Sequence, residues 1–113
     1  MTVGDRAAQE LVSKRMAELT ERFVSRSHED LARIRAGVTE AMRGDGGALQ
    51  KVREVAHRIR GTGGTLGLHS LGDAAAVLEK CIDAQIKTSV PAIGDVKAAV
   101  ELLAAELTRL QQC

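Results

Sequence analysis

The sequence predicts an all-α fold: an antiparallel up-down four-helix bundle with a short extra helix at the N-terminus. Three observations carry this. Seventeen Ala and twelve Leu supply the apolar load of the 113 residues, and both lose little side-chain entropy in a helix. Aromatic content is a single Phe, with no Tyr or Trp, whereas strands favour aromatic and β-branched side chains. Apolar residues recur at a 3/4 spacing in segments separated by short breaks, and no segment alternates with the period of two that a half-buried strand needs. With 44% hydrophobic and 27% charged residues, the composition is that of a soluble protein. The length suits one core, so residues 1–113 are expected to form a single domain.

Leu11, Met16 and Leu19 suggest the short helix, across about 5–18, either separate or continuous with the next. The first long helix runs from about Thr20 to Arg43, with Phe23, Leu31, Ile34, Val38 and Met42 on one stripe and Ser27 as a polar gap. Arg43-Gly44-Asp45-Gly46-Gly47 reads as a turn. The second stripe, Leu49, Val52, Ala56, Ile59, Gly63 and Leu66, passes straight through a glycine cluster. The third is Leu68, Leu71, Ala75, Leu78, Ile82 and Ile86. Ser70 and Asp73 resemble a capping box, so its helix is expected to begin at about 70. Ser89 fits an N-cap and Pro91 a first turn, where its missing N–H costs little. The last stripe is Ile93, Val96, Val100, Leu103, Leu107 and Leu110. Helices of about 20 residues make a bundle roughly 30 Å long.

The same arithmetic excludes several functions. A formal net charge of +1 argues against a nucleic-acid binder, which shows a basic face, and Phe23 alone offers no stacking platform. No apolar run approaches the ~20 residues of a membrane span. The N-terminal MTVGDRAAQE has no signal-peptide pattern. A cytoplasmic protein is expected, with no nucleic-acid or membrane partner, and with Cys81 and Cys113 reduced and incidental to function.

The informative segment is Ala56 to Gly67. Gly61, Gly63, Gly64 and Gly67 fall within seven residues, and each interior glycine costs a helix roughly 0.5–1 kcal/mol relative to Ala. A local rule broken this way points to a packing or functional need. His57, Arg60, Gly61 and Gly64 share one helix face by the i, i+3, i+4, i+7 rule, while Ala56, Ile59, Gly63 and Leu66 make the inward face. An unprotonated imidazole is a nucleophile. A guanidinium suits phosphoryl oxygens. Bare glycine backbone lets another surface approach. The bland alternative is a solvated His–Arg pair with glycines that let two helices pack closely. The glycine run is not a nucleotide loop, since it follows a helix and lacks the Lys-Ser/Thr ending.

This stretch resembles the signature of histidine-containing phosphotransfer (HPt) domains. That signature reads His-x-x-Lys-Gly, then a small residue at +7 and Gly at +10, matched here by His57, Arg60, Gly61, Gly64 and Gly67. Leu68, Leu71, Leu78 and Glu79 continue the pattern on the next helix, and Phe23 and Leu31 fit it on the preceding one. Thr65-Leu66-Gly67-Leu68 is similar to the phosphotransfer domain of chemotaxis histidine kinases. The resemblance spans about residues 20–86. Arg60 stands where the family usually has Lys; it keeps the charge but is bulkier and prefers bidentate contacts.

The resemblance implies a monomeric phosphocarrier, not an enzyme with its own ATP site. His57 would accept and donate a phosphoryl group between a histidine kinase, or hybrid kinase, and response-regulator receiver domains. Arg60 would neutralise phosphoryl charge. Glu79 would accept a hydrogen bond from the ring and fix its tautomer. Gly61, Gly64 and Gly67 would admit the receiver, with Arg53, Arg58 and His69 at the docking surface. Mg²⁺ would come from the receiver, so no cofactor or metal is expected in this chain. His28 is expected on a polar helix face. An alternative is an interaction module of the same fold that binds a receiver or kinase unphosphorylated. A structural oligomer is a third reading, for which Ala98, Ala99, Leu102 and Ala105 offer only a thin outer stripe.

Overall fold

The computed structural model describes residues 3–88 and 93–112. Four helices follow in order: α1 Val3–Met42, α2 Ala48–Thr65, α3 His69–Lys87 and α4 Ile93–Gln111. No strand occurs among the described residues. Ser89 and Pro91, read as the start of the last helix, lie outside them.

Of the two arrangements open for residues 5–18, the separate short helix does not occur and the continuous one does. These residues are the first part of α1, 40 residues long. No Gly or Pro interrupts residues 5–36. At the expected joint the Thr20 hydroxyl donates to the Met16 carbonyl at 2.8 Å, a bond made within the helix that leaves the backbone ladder running.

Both tight turns end on glycine. Gly44 and Gly67 have φ of +102° and +78°, a region costly for other L-residues. After α2, the Leu68 N–H donates to the Gly63 carbonyl at 2.8 Å and the Gly67 N–H to the Gly64 carbonyl at 3.2 Å, the paired bonds of a Schellman stop. The Leu68 carbonyl then accepts from Gly72 N–H at 3.0 Å, so α3 starts at His69 and Leu68 is its cap. Ser70 is already inside the first turn, and the Ser70–Asp73 capping box does not form.

Each helix packs on two neighbours: α1 on α2 and α4, α3 on α2 and α4. Residue numbers that rise on one helix fall on the next. Arg53 meets Asp83 while His57 meets Glu79, so α2 and α3 are antiparallel. The core is Ile34, Val52, Ala56, Ile59, Leu71, Leu78, Ile82, Val96, Leu103 and Leu107, with Val38, Ala75 and Val100. Ser27 is fully buried, and the acidic Asp30, absent from the expected stripe, is buried beside it. Arg33 and Arg58 compensate its charge at 2.9 and 3.2 Å. Met42 and Ile86, expected inside, are exposed at the ends of their helices. Residues 3–19 of α1 are exposed throughout. They overhang the bundle, which is why the molecule measures 62 × 22 × 20 Å.

Arg35 bonds Glu101 across the α1–α4 seam. That hydrogen bond, with the guanidinium charge, holds the Glu101 carboxyl below its ordinary value of 4.5. A depressed carboxylate contributes stability that is present above the ordinary value and lost as pH falls through the depressed one. Glu101→Gln should therefore lower urea stability slightly near neutrality, by little because the pair is exposed, and leave it unchanged in acid where Glu101 is already protonated, so that the acid limb of the profile flattens.

Candidate functional site

The site lies on the outward seam of α2 and α3. α2 remains helical through Gly61, Gly63 and Gly64, and its glycines divide by role. Gly63 is buried, and a Cβ placed there would sit 3.5 Å from the Gly72 nitrogen on α3. One placed on Gly72 would sit 3.5 Å from the Arg60 carbonyl. At these two glycines the helix backbones stand so close that a Cβ on either would touch the other helix in ordinary van der Waals contact. A Cβ on Gly61 or Gly64 would meet nothing within 4 Å, and both are exposed. Gly63 therefore faces the α2–α3 contact, and its neighbours do not. Gly67 is explained by the turn.

Close approach of the two helices brings the His57 face of α2 onto Glu79. Glu79 is only 4% exposed, and a carboxylate so buried needs compensation. Its Oε2 lies 3.2 Å from His57 Nδ1, and its Oε1 lies 3.2 Å from Arg60 Nε. The Arg60 contact is an ion pair off the line of a hydrogen bond, so Oε1 keeps unfilled acceptor capacity. Arg53 Nη2 is 3.8 Å from Oε2.

Arg60 Nη2 also lies 3.3 Å from His57 Nδ1. Nδ1 cannot both donate to Glu79 and accept from Arg60. A carboxylate only accepts, so a bare Nδ1 at 3.2 Å would set two lone pairs face to face. With the proton on Nδ1 the ring donates to Glu79, while Arg60 sets its charge against Oε1. This tautomer leaves the Nε2 lone pair free on a side chain that is 59% exposed.

The other expected site residues separate. Arg53 is held inward by Asp83, with Nε–Oδ1 at 2.6 Å and Nη2–Oδ2 at 3.4 Å. Arg58 points towards α1 and Asp30. His69 is exposed at the start of α3, with no bond to the His57 cluster. His28 is half-buried, not on an open face, and its Nε2 is shut off without a partner. Burial and the nearby Asp95 push the Cys81 thiol up, which keeps it a poor nucleophile. No group of three or more potential metal ligands occurs among the described residues, and no described helix is long and apolar enough to cross a membrane. Asp83 is the member the sequence reading missed. Its signal was present, four residues beyond Glu79 just as Arg53 stands four before His57.

No curated protein and no solved structure matches the chain. A family model described as Hpt domain matches residues 18–113. The match takes in all four helices, beginning inside the overhanging part of α1, and contains the exposed histidine with its arginine and glycine neighbours; the chain belongs to the family of histidine-containing phosphotransfer domains.

Proposed function

We propose that His57 is the phosphorylated histidine of this phosphotransfer domain, exchanging phosphoryl groups with a receiver aspartate or accepting them from a histidine kinase. One observation carries the reading. The His57 ring is anchored at Nδ1 by a buried carboxylate, while its other nitrogen belongs to an exposed edge beside two glycines whose bareness nothing inside the fold requires.

The reaction needs positioning and charge compensation more than covalent chemistry from the protein. The Nε2 lone pair attacks the phosphorus of a receiver aspartyl phosphate in line with the acyl oxygen. An N–P bond forms, the O–P bond breaks, and the aspartate leaves as a carboxylate. No proton leaves Nε2, because none is there. The ring gains positive charge, which Glu79 compensates through Nδ1–H. Return transfer reverses each step. The metal that such a transfer uses stays with the receiver, and Gly61 and Gly64 let the receiver's pocket reach the ring.

Arg60 has two partners to choose between. In the free protein it lies against Glu79 and the Nδ1 side of the ring. When the phosphoryl group arrives, the guanidinium turns to its oxygens. Arg60→Ala should therefore shorten the lifetime of phosphohistidine and slow transfer, and Arg60→Lys should restore most of both if a point charge suffices. The test is to incubate the protein with a panel of phosphorylated kinases and receivers, and separately with phosphoramidate, and to measure acid-labile phosphate over time. Absence of labelling by every donor would favour the unphosphorylated interaction module. An unchanged phosphohistidine lifetime in Arg60→Ala would remove the charge role.

A further inference from the structure

We propose that Asp83 is a positioning residue: by clamping Arg53 it keeps a guanidinium off Glu79 and reserves that carboxylate for His57. The inference rests on His57 as the reacting residue and adds a member to the site.

Three donor groups approach the two oxygens of Glu79. His57 Nδ1 and Arg60 Nε are both at 3.2 Å, and Arg53 Nη2 stands off at 3.8 Å. A guanidinium is a stronger partner for a carboxylate than a neutral imidazole N–H, being permanently charged and able to form two parallel bonds. Arg53 would only have to advance about an ångström to reach hydrogen-bonding distance from Oε2, the oxygen His57 uses. What holds it back is the two-point contact with Asp83. The clamp is electrostatically firm: its hydrogen bond and charge raise Arg53 above its ordinary value and lower Asp83 below its own. The spacing is matched on both helices. Arg53 and His57 are one turn apart on α2, and Asp83 and Glu79 one turn apart on α3. Each α2 group is therefore served by its own carboxylate. The charged groups of the cluster around the ring are Arg53 and Arg60 on α2, with Glu79 and Asp83 on α3.

If Asp83 loses its charge, Arg53 is free to bond Glu79 Oε2. The stronger donor then competes with His57 for that oxygen, and the hold on the Nδ1 proton weakens. An Nε2–H tautomer has no lone pair where the phosphorus arrives.

The test is a cycle of Asp83→Asn, Arg53→Gln and the double variant, in the whole chain. Both side chains are partly exposed, and circular dichroism with thermal melts verifies each fold. Two-bond ¹H–¹⁵N spectra of the His57 ring, taken where the ring is neutral, report the Nδ1–H fraction. Phosphoramidate labelling reports the reactivity of Nε2 without any docking partner. Asp83→Asn should lower the Nδ1–H fraction and slow labelling by roughly tenfold, the scale on which outer hydrogen-bonding partners of a functional histidine act. Arg53→Gln should preserve both. In the double variant the loss should disappear, because the competing guanidinium is gone.

Wild-type spectra and rates in Asp83→Asn overturn the proposal. So does an equal loss in the Arg53→Gln background, which would mean that Asp83 acts through its own field and not by restraining Arg53. The spectra need no phosphorylation. If phosphate proved to sit elsewhere than His57, the proposed function would fail while the tautomer cycle still decided the clamp. Normal labelling of His57 with an unmoved tautomer would sink the clamp alone.

Discussion

Replacing His57 with Gln should reduce acid-labile phosphorylation of the chain to background while the bundle stays folded. The expected loss is complete because the substitution removes the only atom proposed to bond phosphorus, and no neighbour can substitute. Arg60 is permanently protonated and cannot act as a nucleophile. His28 has its Nε2 buried, and His69 lies at the far side of the α2–α3 turn. The fold should survive, since His57 is exposed and Gln is a good helix former. One structural cost is expected: Glu79 loses its ring partner, and the Gln amide or Arg60 must take over. Labelling with radioactive phosphoryl donor, followed by acid and hydroxylamine treatment, distinguishes phosphohistidine from phosphate on other residues. Persistent acid-labile label in His57→Gln would move the site to another histidine, with His69→Gln the next variant to measure.

The second large effect concerns Gly61, where two substitutions should act in opposite directions. Gly61 has ordinary helical backbone and an empty surround. Gly61→Ala should therefore stabilise the protein by ~0.5–1 kcal/mol, by restricting the unfolded chain and favouring the helix. Gly61→Leu should also fold. Its side chain would stand in the path of a receiver approaching the ring, however, and overpacking at a close-fitting surface costs ~1–3 kcal/mol. Transfer to or from a receiver should fall roughly 5- to 150-fold, since each 1.4 kcal/mol is a factor of ten. Phosphoramidate is small and should label Gly61→Leu at the wild-type rate. Unchanged receiver transfer in a well-folded Gly61→Leu protein would show that the glycine does not serve approach. The same pair of measurements applies to Gly64.

Much of this site was legible because helical periodicity is a local property. The 3/4 spacing of Leu49, Val52, Ala56, Ile59 and Gly63 placed their face inward, and the structure buries all five. That alone put His57, Arg60, Gly61 and Gly64 together on the adjoining, outward face. The glycines themselves were ambiguous. Whether a glycine serves helix packing or outside access depends on what stands across from it, and a wheel does not show the neighbour. Gly63 has α3 backbone against it, while Gly61 and Gly64 have open space. The continuity of α1 is hard to read from sequence for a related reason. Its core-facing stripe weakens before Leu19 because the other helices end there, not because the helix does.

Composition, periodicity and the His57-to-Gly67 spacing by themselves determined the helical class, the faces of α2 to α4, and the exposed histidine with its arginine and bare backbone. These follow from the 3.6-residue turn and from intrinsic side-chain chemistry, which act within a few residues. The tertiary structure alone decided that Glu79 stands opposite Nδ1, that Arg53 is clamped by Asp83, that Arg58 belongs to a buried Asp30, and that α3 begins without its capping box. Those facts depend on the register between helices. The register is set jointly by the Gly67 turn and the Gly63–Gly72 approach, and shifting one helix along another by a single turn would pair His57 with a different residue.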